Sequence, residues 1–199
     1  MGLLVDHQIR RLAEKGMIVP FLPNAVREVE GRRIISAGCS SVGYDMRIAD
    51  EFKVFSPVHC VVVDPKRIDQ RAFVDVKARE DEDGSLFILI PPHSFVLGRS
   101  VERFDIPRDV AIVIIGKSTL ARCGLVLNMT PGEPGWRGHL TIEISNTTPL
   151  PVKLYAMEGV CQALFFQTES ACETSYDEKN HGEPAKYQDQ GPEVVLPRM

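Results

Sequence analysis

Phe73–Pro92 reads FVDVKAREDEDGSLFILIPP, and its pattern decides the fold class. Phe73 to Arg79 alternates apolar with polar residues, the period of a strand with one wet face. Glu80 to Gly84 is an acidic turn ending in Asp-Gly, and Ser85 to Ile90 is apolar again before Pro91 and Pro92. An Asp-Gly pair between two such runs predicts a hairpin. The carboxylates of Glu80 to Asp83 read as a solvated loop tip rather than a metal site.

The same punctuation repeats outward from this hairpin. SFVLGR (94–99), DVAIVIIG (109–116), LVLNMT (125–130), HLTIEIS (139–145), PVKLY (151–155) and GVCQALFF (159–166) are short apolar runs separated by Pro and Gly. Many short strands of this kind predict a β-sandwich or barrel, not an α/β fold. Asp6–Lys15 alone reads as a helix. Asp6 is its expected cap, Ile9, Leu12 and Ala13 its apolar stripe, and Gly16 its stop. One domain over residues 1–199 is expected. From Thr168 the apolar content falls until VVL at 194–196, so 168–199 is expected to be a lid that a ligand orders.

Charge excludes some partners. Lys and Arg number 23 against 27 Asp and Glu, interspersed, for a net charge of −4. That balance lacks the clustered cations of a nucleic-acid surface. The N-terminus has no signal-peptide layout, and the longest apolar run, Val110–Ile115, is far short of the roughly 20 residues that span a bilayer. Five cysteines with no CxxC predict reduced thiols. A soluble cytoplasmic protein is expected, with no membrane partner.

Two familiar motifs fail. Gly116-Lys117-Ser118 ends like a P-loop, but Ala111 stands where the first glycine is needed and the residues between read as a strand. His181-Gly182-Glu183 matches the HxE of zinc deaminases, yet the chain has no PCxxC, and His7, His59, His93 and His139 are scattered. No protein-bound metal, and in particular no zinc, is expected.

Two segments place polar groups within apolar surroundings. Gly116–Gly124, GKSTLARCG, follows the Val110–Ile115 strand, which is apolar on both faces and expected to be buried. Ser118 or Thr119 can cap a short helical turn and Gly124 can end it. Amides, a hydroxyl, Lys117 and Arg122 would then face an anion together. From local sequence alone, a plain strand–turn–strand connection with solvated cations is the favoured reading. In His139–Asn146, alternation puts Leu140, Ile142 and Ile144 on one face and Thr141, Glu143 and Ser145 on the other. A partly buried Glu143 would have a raised pKa suited to moving protons near neutrality. The plainer reading is a strand with one wet face.

GKSTLARCGL, EPGWRGHLTIEISNTTPLP, EGVCQALFF, SY and KYQDQG, in that order and spacing, resemble the dCTP deaminase family. The resemblance extends through the N-terminal helix and SVGYDMRIADEFKVF. It implies a mainly β, jelly-roll-like or distorted-barrel fold of the dUTPase type, forming homotrimers with nucleotide sites between subunits. It implies zinc-independent conversion of dCTP to dUTP and ammonia, on the way to dTTP precursors. Lys117, Ser118, Thr119, Leu120, Ala121 and Arg122 would contact the nucleotide, with Mg2+ bound through its triphosphate. Thr141, Ile142 and Glu143 would line the pyrimidine and sugar pocket. Gln162, Tyr176, Lys186 and Gln190 match further nucleotide-binding positions. Glu143 would move the protons, with Ser118 and Arg122 positioning the water or the base. Glu133 falls near the catalytic aspartate of dUTPases, which keeps a dUTP pyrophosphatase or bifunctional enzyme as one alternative. A non-catalytic nucleotide-binding module is another.

Overall fold

The computed structural model describes residues 2–179 and 185–198. Its strands in chain order begin with β1 (Gly2–Leu3), β2 (Ile18–Val19), β3 (Val26–Val29), β4 (Arg32–Cys39) and β5 (Tyr44–Arg47). They continue with β6 (Glu51–Phe55), β7 (Phe73–Lys77), β8 (Arg79–Glu80), β9 (Leu86–Ile90) and β10 (Phe95–Asp105). The last five are β11 (Val110–Gly116), β12 (Leu125–Leu127), β13 (Arg137–Asn146), β14 (Val152–Tyr155) and β15 (Gly159–Gln167). Helix α1 (Asp6–Ala13) precedes β2, and the one-turn α2 (Ser118–Arg122) joins β11 to β12.

One sheet runs β1-β15-β5-β4-β3, with β11 also on β15; a second runs β12-β13-β10-β6-β7, with β2 also on β10. A small sheet, β14-β9-β8, completes the fold. The expected mainly β class is found, with the barrel opened into distorted sheets. Tyr44, Phe52, Phe104, Ile112, Ile142 and Phe165 lie in the core between them, each almost fully buried. Glu102, wholly buried in β10, crosses that core: Arg47 Nε donates to it at 2.8 Å, and the Tyr44 hydroxyl at 3.2 Å. Removing one partner of such a pair typically costs about 3–5 kcal/mol, because a charge is left buried alone.

Four local expectations are corrected. Asp6 is the first helical residue, and Val5 is the cap; Gln8 Oε1 accepts from the Val5 amide instead. Lys117 likewise caps α2, with Ser118 inside the helix, whereas Gly124 ends it at φ +77° as expected. The Asp-Gly hairpin exists but pairs only β8 with β9. FVDVK instead pairs with β6, because Ala78 turns the chain into the small sheet through its amide on Asp50 O. Finally, β11 is buried on one face only: Val113 is 39% and Ile115 43% exposed.

Candidate active site

Strand β13 shows the predicted alternation without a break: Leu140, Ile142 and Ile144 are buried, while Thr141, Glu143 and Ser145 are half-buried on the opposite face. Its partners β10 and β12 hold it in the sheet, with Glu143 opposite Leu97. The loop before it, Met129–Trp136, is pressed onto β11 by two backbone hydrogen bonds between Ile112 and Gly132, of 2.9 and 2.8 Å. Gly132 is required there, since a Cβ would lie 2.2 Å from Ile112 Cγ2.

The C-terminal segment crosses the start of β13 as a strap. The Trp136 indole donates to Tyr187 O at 2.8 Å, and the His139 amide to Gln190 O at 2.9 Å. Thr141 Oγ1 donates to Gln190 Oε1 at 3.0 Å, and Arg137 pairs with Asp189 at 2.6 Å. Gly138 (φ +138°) permits the approach: its Cβ would meet Gln190 N at 2.6 Å.

Strand, loop and strap enclose a cleft of about 500 Å³. Thr141, Glu143, Tyr176 and Gln190, all singled out in the sequence, line it. Its walls are largely apolar, with Leu97, Met129, Trp136 and Leu140 among them. Glu143 has no cationic partner among the described residues, and burial pushes its pKa up to about 7. A carboxyl group poised there exchanges protons readily in both directions near neutral pH. Glu133 also lines the cleft and forms an ion pair with Lys179.

The remaining predicted residues lie elsewhere. Lys117 Nζ is tied to Asp45 at 2.6 Å and to Ser36 O and Oγ at 2.9 Å each. Ser118, Thr119, Ala121 and Arg122 are exposed on α2, and Leu120 is buried under it. Gln162 lies in register with Asp45, and its amide reaches Ser40 Oγ. The turn and Gln162 therefore form a second cluster, and none of them lines the cleft within this chain. The Ile142 side chain faces the core, so its main chain alone is available to a ligand. Lys186 is exposed, its Nζ 5.2 Å from the Tyr187 ring centre. His181 and Glu183 lie outside the described residues.

The sequence singled out neither Tyr187 nor Asp45, and placed Val195–Pro197 only within the expected 168–199 lid; all of these line or neighbour the two clusters. Tyr187 and Asp45 fall within quoted motifs, KYQDQG and SVGYDMR, which was the available signal.

A family model described as dCTP deaminase-like matches residues 3–168. The chain belongs to the dCTP deaminase-like family. It aligns end to end with curated relatives: it is 52% identical over 199 residues to the dCTP deaminases of Ectopseudomonas mendocina and Ralstonia pickettii, covering 100% of each. Its fold resembles the crystal structure of 2′-deoxycytidine 5′-triphosphate deaminase from Agrobacterium tumefaciens, with a TM-score of 0.55 at 16% identity. That match covers 82% of this dCTP deaminase-like chain and 47% of the other, so the likeness is one of fold.

Proposed function

We infer that this chain is an enzyme that hydrolyses dCTP to dUTP and ammonia. The observation that carries the reading is the sheltered Glu143 carboxyl group, without a cation, in a cleft of a size suited to a small ligand. Water adds to C4 of cytosine as Glu143 takes its proton and passes it to N3. Glu143 then carries the remaining hydroxyl proton to the amine, which leaves as ammonia while C4 becomes a carbonyl. Such proton transfer is worth roughly 10²–10⁴-fold, with positioning and electrostatics supplying the rest.

Ser118 and Arg122 position the water or the base, reaching the cleft from α2 of a neighbouring copy, since they do not reach it within their own chain. A homotrimer is supported by the exposed apolar face of Val113, Ile115 and Val126 beside α2. The α2 turn offers hydroxyls and cations but no carboxylate, a donor set that fits phosphate oxygens better than a bare divalent ion. Mg2+ is accordingly assigned to the triphosphate, where it neutralises charge beside Arg122, Lys186 and a Lys117 shared with Asp45. Substrate from the free nucleotide pool and five unpaired cysteines fit a cytoplasmic enzyme. Among the described residues no helix is long and apolar enough to cross a membrane.

Incubation of the purified protein with dCTP and Mg2+ tests this reading. Ammonia in equal amount to dUTP is expected. Pyrophosphate with dUMP would instead assign a hydrolytic role to Glu133, and no product would leave a binding module.

A further inference from the structure

Lys117 belongs to the turn assigned above to the triphosphate, yet its ammonium group is fully engaged within the chain. A lysine carries three N–H donors. Three acceptors surround this one: Asp45 Oδ2 at 2.6 Å, and Ser36 O and Oγ at 2.9 Å each. The Ser36 hydroxyl donates to the same Asp45 oxygen at 3.2 Å, which closes the ring. The Lys117 and Asp45 side chains are only 12% and 10% exposed, so little water competes for them. A phosphate oxygen could reach Nζ only by breaking one of these bonds.

The anchors come from two strands of the first sheet. Ser36 lies on β4, and Asp45 lies on β5 between Gly38 and Gln162. Gly159 on β15 lets Ser36 approach, since a Cβ there would lie 1.9 Å from Ser36 O. Lys117 is itself the N-cap of α2, with extended backbone at φ −92° and ψ 139°. Its side chain therefore fixes the residue from which α2 starts. Ser118, Thr119 and Arg122 follow it and stay exposed.

We propose that Asp45 and Ser36 are positioning residues that hold Lys117 as a tie, aiming the α2 turn at the triphosphate, and that Lys117 gives no hydrogen bond to the nucleotide. The inference rests on the nucleotide-binding role of α2 proposed above. Ser118, Thr119 and Arg122 then carry the phosphate contacts of the turn. The charge of Lys117 is shared with Asp45, and its donors are spent on the scaffold.

One substitution in the full chain separates a tie from a phosphate ligand by its sign. Were Lys117 a ligand, Asp45 would compete with phosphate for it, and Asp45→Ala would tighten dCTP binding. As a tie, Lys117 loses its anchor and the turn loses its aim. Asp45→Ala is therefore expected to raise Kd for dCTP with Mg2+, measured by titration calorimetry, about tenfold. KM for ammonia release should rise in step, with a smaller change in kcat. Plain loss of folding would instead lower kcat through the active fraction and leave KM where it was. Asp45→Asn keeps an acceptor for Nζ and should recover part of the affinity. Adding Lys117→Met to Asp45→Ala should weaken binding no further, because the tie is already cut. Asp45→Ala binding dCTP as tightly as wild type, or a further loss in the double variant, overturns the proposal. If Asp45→Ala does not fold, Ser36→Ala removes one acceptor and decides by the same sign. If the wild-type protein releases no ammonia, the deamination reading fails separately, and the calorimetric titrations still decide the role of Lys117.

Discussion

At Glu143 stability and chemistry oppose each other. Burial raises its pKa from 4.5 to about 7. Between those values the unfolded chain gives up its proton first, so folding stability falls as pH rises through the window. The cost is absent below 4.5 and complete above 7. Its upper size is about 3 kcal/mol. Glu143→Gln should therefore raise the melting temperature at pH 8 more than at pH 5, measured by calorimetry in matched salt. The same variant should still bind dCTP but lose at least about 10²-fold in turnover. Retained turnover would remove Glu143 from the mechanism. The alternation of HLTIEIS made the orientation of Glu143 readable from sequence. The lack of a cationic partner for it among the described residues of its own chain was not, because nothing in the sequence shows that Lys117 and Arg122 lie in another cluster.

Among the elements, the strap and β13 depend on one another at Gly138. A side chain there meets the backbone of Gln190, and φ +138° strains any residue with a Cβ. Gly138→Ala should lift the strap at a cost of about 1–3 kcal/mol. Limited proteolysis should then cut within 168–198 faster, and KM for dCTP should rise several-fold with a smaller change in kcat. An unchanged cleavage rate would show that the strap is held without this contact. The low apolar content after Thr168 suggested a segment awaiting a ligand. It missed that Trp136 and His139 donate to this segment within the chain itself, because those bonds end on backbone carbonyls that no side-chain pattern announces. The acidic hairpin misled for a related reason: its strands each found a longer partner, β6 and β14, far away in sequence.

For the whole molecule, the two clusters pose one question of assembly. Val113 and Ile115 belong to a strand whose sequence asks for burial on both faces, and one face is left open. On the proposed homotrimer, Val113→Glu with Ile115→Glu should reduce the sedimentation size to that of a monomer and abolish ammonia release, since α2 could no longer reach a neighbour's cleft. Mixing inactive Glu143→Gln with inactive Arg122→Ala subunits, after dissociation and reassembly, should restore activity several-fold above either alone. No restoration would place the whole site within one chain. The sequence by itself determined most of the strands after Phe73, the face on which Glu143 lies and the family, because period and motif spacing are local properties that survive in one dimension. Only the tertiary structure decided that Lys117 is held by Asp45, that the tail forms a wall of the cleft, and that the α2 turn stands apart from Glu143. Those facts depend on contacts between distant segments, whose energies come from burial and closed hydrogen bonds rather than from any neighbour in the chain.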